Sequence, residues 1–204
     1  MNHVMKWYKD VLGRQTVDAL VKHNVSAYYC PDRKEAIRLI IMQLIPDSAT
    51  IGVSGSRTVM ELGLVELLKK CRHEIFNCNP EGLILEAKSK EWSRQLTCDI
   101  FLTGANAITL TGEIVNRDAF GRRIVAMMFG PKKVIVVAGI DKVVRDVDAA
   151  KGQEASAPCA EPGECVDCST LRQSGNITSM LHRYPPLTDI HVVIVGECLS
   201  LSNH

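Results

Sequence analysis

Aromatic side chains are scarce in this chain, and neither sign of charge dominates it. Tryptophan, tyrosine and phenylalanine make up 5% of its 204 residues, and the formal net charge is +1. Single-stranded nucleic acid is held on aromatic stacking platforms, and duplexes on basic surfaces that neutralise phosphates. Neither kind of surface is expected here, so no nucleic-acid partner is expected. Long apolar runs are missing too: VIVVAGI at 134–140 is far too short to span a bilayer. The opening MNHVMKWYKDVLGRQ has no apolar stretch of the kind a secretory signal needs. The expectation is a cytoplasmic protein with no membrane partner. In that compartment the eight cysteines should be thiols or metal ligands, not disulfides. Walker and dinucleotide glycine spacings are absent, as is a G-x-S-x-G elbow, and the six histidines do not cluster.

What is present alternates. An apolar content of 46% and the length suit one domain over residues 1–204 with a real core. Residues 3–22 read as a polar-faced helix and SAYYC, 26–30, as a strand. Asp32 with Glu35 has capping-box spacing before a helix that Pro46 ends. ATIGVSGS runs a strand into a small-residue turn, and a helix is expected over 58–70. HEIFNC and DIFLTG are further strands, with a helix between them. The expected class is α/β: an open, mostly parallel sheet flanked by helices. AITL-TG-EIVN then reads as a hairpin, and RRIVAMMFG as a third antiparallel strand completing a meander. KKVIVVAG and HVVIVGE return to buried strands. Residues 151–177 form a cysteine-bearing segment rich in small residues, and loops of that length are usually functional.

Two polar tracts follow strands. In VSGSRT, Ser54, Ser56 and Thr58 supply hydroxyls and Arg57 a positive charge, a setting for an anion; the plain alternative is a strand–helix turn capped by Ser56. The second tract holds Thr103, Gly104, Asn106 and Thr109, followed by Arg122 and Arg123. Ligands of α/β folds sit at the carboxyl ends of strands, where both tracts fall. Glu113 is the one carboxylate in the second tract before Asn116. Partial desolvation would make it a base or nucleophile, and full exposure would leave it an idle strand residue. Cys159, Cys165 and Cys168, spaced C-x5-C-x2-C, suit zinc or an iron–sulfur cluster, or are three reduced thiols. A fourth ligand would come from Cys198, His182, His191 or Asp167. Cys30, Cys71, Cys78 and Cys98 adjoin apolar elements and read as core residues.

The run from IGVSGSRTVMELGL through DIFLTGANAITLTGEIVNRDAFGRRIVAMMFGPKKVIVVAGIDKVV resembles the LUD-domain family, associated with lactate utilisation. PCAEPGECVDC resembles the cysteine segment of its short branch. The resemblance implies a fold like the sugar-phosphate isomerase and CoA-transferase group. It adds Gly55, Asn116 and Lys133 to the expected ligand residues Ser54, Ser56, Arg57, Thr58, Thr103, Gly104, Asn106, Thr109 and Arg123, and it implies a nucleophile's role for Glu113. The chain departs from the family's usual Gly-Asn-Arg at Gly121, Arg122 and Arg123. After Arg172 it has Gln173 where a fourth cysteine often stands.

Three functions compete. One is a lactate-utilisation-type protein working with iron–sulfur redox subunits on a hydroxy acid. Another is a free-standing isomerase or acyl/CoA transferase acting on an anionic metabolite. The third is a non-catalytic module with a structural metal. The first, with an anionic small-molecule ligand, is the preferred expectation; whether the chain is an enzyme stays open at this point. A symmetric homodimer is the default assembly.

Overall fold

The structure is a computed structural model that describes residues 3–77, 85–118, 121–156, 177–183 and 188–199, the side chains of 85–89 and 152–156 excepted. Helix α1 spans His3–Lys22, strand β1 Ser26–Cys30 and helix α2 Arg33–Leu39. They are followed by β2 Ile51–Val53, α3 Arg57–Glu61, α4 Leu64–Lys70, β3 Ile75–Asn77 and α5 Leu85–Gln95. Next come β4 Ile100–Gly104, β5 Ala107–Thr109, β6 Ile114–Asp118, α6 Arg122–Met128 and β7 Lys133–Gly139. A 3-10 turn Ile140–Lys142 leads to β8 Val143–Val144, α7 Val147–Ser156, β9 Ile177–Leu181 and β10 Asp189–Val195.

Six strands form an all-parallel sheet in the order β1-β10-β7-β4-β2-β3. The central strands are apolar along their whole length because both faces are covered. Ile51, Leu102, Ile135 and Val193 point into one core with Ile40, Leu64 and Leu68. Phe101, Val134, Val136 and Val192 point into a second core with Leu20, Ile108, Ile114 and Met127. The Asp99 carboxylate ties the amino ends of the strands together. It accepts from Thr50 N at 2.9 Å, Thr50 Oγ1 at 2.7 Å and Lys132 Nζ at 2.8 Å, and these contacts, Lys132 foremost, hold it well below the usual carboxylate range.

The expected α/β class holds, with local corrections. The hairpin β5–β6 is present, but it belongs to a separate four-stranded sheet, β8-β5-β6-β9, in which β5 and β8 run parallel. The third strand of the meander is not RRIVAMMFG; β9 takes the place beside β6, and Arg122–Met128 is helix. A short apolar run is ambiguous in period, and here burial of Ile124 and Met127, three residues apart, settles it. Asp118 also accepts the Gly121 and Arg123 backbone N–H groups at 3.1 and 2.8 Å, which satisfies the start of a helix. The helix expected over 58–70 is two helices, broken where Gly63 adopts a φ of 63°. Asp32 caps α2 through Glu35 N as expected, though the last turn, Ile40–Leu44, widens to a π-helix. Cys30 and Cys98 are core residues; Cys71 is exposed, and Cys78 lies outside the described residues. Among the described residues, no helix is long and apolar enough to cross a membrane.

Leu102 sits at the middle of β4 with no exposed surface. Leu102→Ala should cost about 2–5 kcal/mol of unfolding free energy, read by urea denaturation, because the packed sheet on both sides cannot close the cavity.

Candidate functional site

The chain leaves β2 for β3 on one side and returns to β4 on the other, so β2 and β4 flank the point where strand order reverses. Loops diverging from such neighbours open a crevice at the strands' carboxyl ends. Both polar tracts start there. The Ser54 hydroxyl donates to Thr103 Oγ1 at 2.8 Å, with both residues buried. Ser54 N donates to Leu102 O at 3.1 Å, and Ser56 Oγ accepts from Val59 N at the start of α3. Gly104 is required by proximity: a Cβ there would lie 2.4 Å from Ser56 Oγ. The two tracts expected to share a pocket are thus in direct contact.

A third strand contributes beside them. Beyond β7, the turn Ile140–Lys142 sends Lys142 Nζ to Thr58 Oγ1 at 2.9 Å. Burial pushes the Lys142 ammonium down to about 8; Asp141 opposes that shift, while Arg123 and Arg57 reinforce it. Lys142 therefore lies within the fields of both arginines. Arg123 comes from the start of α6. Its guanidinium donates to Asn106 Oδ1 at 2.9 Å and to the carbonyl of Arg117, and Arg117 N donates to the same Asn106 oxygen at 3.0 Å. Burial lowers the Arg123 pKa, against the pull of Asp118. The neighbouring carboxylates are already engaged by backbone: Asp141 accepts from Leu199 N at 2.9 Å, and Asp118 holds the start of α6.

Of the expected ligand residues, Ser54, Ser56, Thr58, Thr103 and Gly104 come together here. Arg57 and Arg123 reach the same corner through their fields on Lys142, and Asn106 through Arg123. Gly55, between the two serines, is exposed. Thr109 and Glu113 are placed elsewhere, around the β5–β6 turn. Thr109 and Thr111 both donate to the Glu113 carboxylate, and His182 Nδ1 lies 3.6 Å away. Burial acts to raise the Glu113 pKa, but the two threonine hydroxyls outweigh it and the net shift is downward. Asn116 is fully buried and donates to Met127 Sδ at 3.4 Å. Lys133 stands at the amino end of β7, the opposite edge of the sheet, with Leu44 O at 3.2 Å and Asp189 at 3.7 Å.

The three-cysteine cluster Cys159, Cys165 and Cys168 lies outside the described residues, as does Asp167. Of the other expected fourth ligands, His182 faces Glu113, His191 lies between Tyr28 and Asp189, and Cys198 is exposed beside Lys9. Among the described residues, no group of three or more His, Cys, Asp or Glu side chains could hold a metal.

A family model described as LUD domain matches residues 13–195. The chain belongs to the LUD-domain family. Among solved structures, this LUD-domain chain is similar to a DUF162 family protein from Deinococcus radiodurans, with a TM-score of 0.56 and 14% identity over 92% of this chain and 98% of that one. Ribose 5-phosphate isomerases from Plasmodium falciparum and Methanocaldococcus jannaschii match at a TM-score of 0.36, with 15% and 18% identity. They cover 55% and 56% of this chain, and 52% and 53% of their own. No curated protein matches.

Sequence reading missed Lys142. The signal was available: GIDK follows a buried strand at the same edge as the other two tracts, and the carboxyl-end argument applies to it equally. The contact at Gly104 gives a direct test. Gly104→Ala should cost about 1–3 kcal/mol by overpacking, and Ser56→Gly in the same chain should recover most of that loss in a double-mutant cycle of urea midpoints.

Proposed function

We propose that this LUD-domain protein binds an anionic small molecule, a carboxylate or phosphate ester, at the crevice between β2, β4 and β7, and that it serves the use of lactate or another hydroxy acid. The single observation that carries the reading is a buried Lys142, bonded to Thr58 beside the buried hydroxyls of Ser54 and Thr103 and lying within the fields of Arg57 and Arg123. Like charges brought together out of water destabilise a fold, and a bound anion removes that penalty. Family membership supports the link to lactate. The hydroxyls of Ser54, Ser56 and Thr58 would orient the anion's oxygens, and Lys142 would supply a mobile charge. Work with an iron–sulfur partner rests on the family resemblance and on the cysteine segment.

A glutamate nucleophile at Glu113, as an acyl or CoA transferase would need, draws no support from its surroundings. A carboxylate held ionised by two hydroxyls is a weak base and an occupied nucleophile. Glu113→Gln should lower the thermal midpoint by loosening the β5–β6 turn and leave anion affinity within twofold of wild type; retained binding with abolished turnover would restore the catalytic role.

Lys142→Met separates binding from stability. Calorimetry with inorganic phosphate, a sugar phosphate and lactate should show at least a tenfold loss for whichever anion binds wild type, as expected for a hydrogen bond to a charged group. The same variant should unfold at a higher midpoint, because a buried repelling cation is gone. Unchanged affinity would refute the reading.

The pH dependence has two opposed limbs. Lys142 is depressed from 10.5 to about 8, so between those values the unfolded chain binds more protons at this group. Its contribution to stability therefore grows as pH rises through that window and is lost below it. Anion affinity should run the other way, falling as pH rises through about 8, with proton uptake on binding. Titrations in buffers of different ionisation enthalpy measure that uptake.

A further inference from the structure

Lys69, Lys132, Lys133 and Lys151 each stand 2.8–3.7 Å from a carboxylate oxygen. Lys142, half-buried at the end of the turn Ile140–Lys142, does not: among the described residues its Nζ forms no ion pair, and its one hydrogen-bond partner is the Thr58 hydroxyl at 2.9 Å. A hydroxyl suits either protonation state, because it accepts from an ammonium and donates to a free amine, whereas a carboxylate suits the ammonium alone. The neighbouring Asp141 does not take that place. Its Oδ1 accepts from Leu199 N at 2.9 Å and lies over Gly139, in the space a Cβ there would fill. With burial holding Lys142 down to about 8, roughly a tenth of it is free amine at pH 7. The free amine is the nucleophilic form of lysine. Arg57 precedes Thr58 in the chain and is also half-buried. Among the described residues it has neither a hydrogen bond nor an ion pair, and its field reaches Lys142. A guanidinium that serves no carboxylate of the chain thus stands next to an amine able to attack carbon.

We infer that the Lys142 amine is a nucleophile toward a 2-oxo acid: the acid's carboxylate pairs with Arg57, and its carbonyl carbon forms an imine with Nζ. The inference rests on the anion-binding reading of this crevice and adds what the anion carries, an electrophilic carbonyl next to its charged group. A 2-oxo acid has those two groups on adjacent carbons, which matches a cation and an amine held side by side at Arg57 and Thr58. It is also the two-electron oxidised form of the 2-hydroxy acid in the proposed function. The step itself needs no oxidant or reductant. Nζ gives its lone pair to the carbonyl carbon as the C=O π bond opens. The oxygen takes up the two protons the amine gives up and leaves as water, and a C=N bond remains. Thr58 Oγ1, the hydrogen-bond partner of Nζ, is placed to accept the first of those protons. Lactate presents the same carboxylate but a saturated carbon beside it, so it binds without reacting.

Trapping with sodium cyanoborohydride, which reduces an imine to a stable secondary amine, tests the inference on the full chain. Incubation with pyruvate should add one reduced pyruvate unit to the intact mass, and peptide mapping should place it on Lys142. Lactate under the same conditions should add nothing. At saturating pyruvate the labelling rate should rise as pH passes through about 8, since the free amine is the reacting form. Arg57→Gln should raise the pyruvate concentration for half-maximal labelling about tenfold, as expected for the loss of a hydrogen bond between charged groups. Calorimetry with pyruvate, run alongside, separates two failures. Pyruvate that binds and leaves no adduct would overturn the imine while the anion reading stands; a crevice that binds no anion would overturn both. Adducts shared evenly with the exposed Lys132 would overturn the inference too. So would trapping of dihydroxyacetone phosphate in preference to pyruvate, which assigns the amine to a sugar phosphate.

Discussion

The close approach of the loop after β2 to the end of β4 is the constraint on which the functional end of this molecule depends. Ser56 Oγ occupies the space a side chain at position 104 would need, and the Ser54 hydroxyl bridges to Thr103 one residue earlier. Because β2 and β4 are hydrogen-bonded neighbours with a reversal of strand order between them, the two loops leave from adjacent points and then diverge. The contact joins the loops at their base and leaves the crevice above it open. Lys142, arriving from β7 on the far side of β4, enters the same crevice because the sheet places its strand end there.

The rigidity behind that arrangement comes from burial on both faces. β4 and β7 place alternate residues in two separate cores, so neither strand can slip by one residue without exchanging its cores. Asp99 holds the other end of the same strands through Thr50 and Lys132. Fixing strands at their amino ends and loops at their carboxyl ends lets Lys142 be held within the fields of Arg57 and Arg123, with Asp141 acting on Lys142 and Asp118 on Arg123. Asp141 and Asp118 stand close but are bound to backbone N–H groups. Burial foremost moves Lys142 toward neutrality, with Arg123 and Arg57 reinforcing it and Asp141 opposing; under the proposed function an entering anion would offset that shift.

The second sheet has a different part. It carries Asn106 and Arg117 at one end, where they hold the Arg123 guanidinium, and Glu113 at the other, where Thr109, Thr111 and His182 enclose the carboxylate. Residues close together in TGANAITLTGEIVN are thus divided between the crevice beside Arg123 and the β5–β6 turn. A polar tract in a strand sends alternate side chains to opposite faces and successive ones further from the starting edge, so proximity in sequence is not proximity at a site.

The amino-acid sequence alone determined the α/β alternation, the capping of α2 by Asp32, the hairpin and the gathering of the two polar tracts at one end of the sheet, because each of these rests on local spacing or on the rule that loops gather at strand carboxyl ends. The family was legible in TGANAIT and FGPKKV. Only the tertiary structure decided that RRIVAMM is a helix, since an apolar run of that length fits either period until its burial is known. The fold also puts Lys133 at the amino end of β7 and Lys142 beyond its carboxyl end, beside the crevice; the direction of the strand separates them, and the carboxyl-end rule applied to GIDK could have found Lys142 from the sequence.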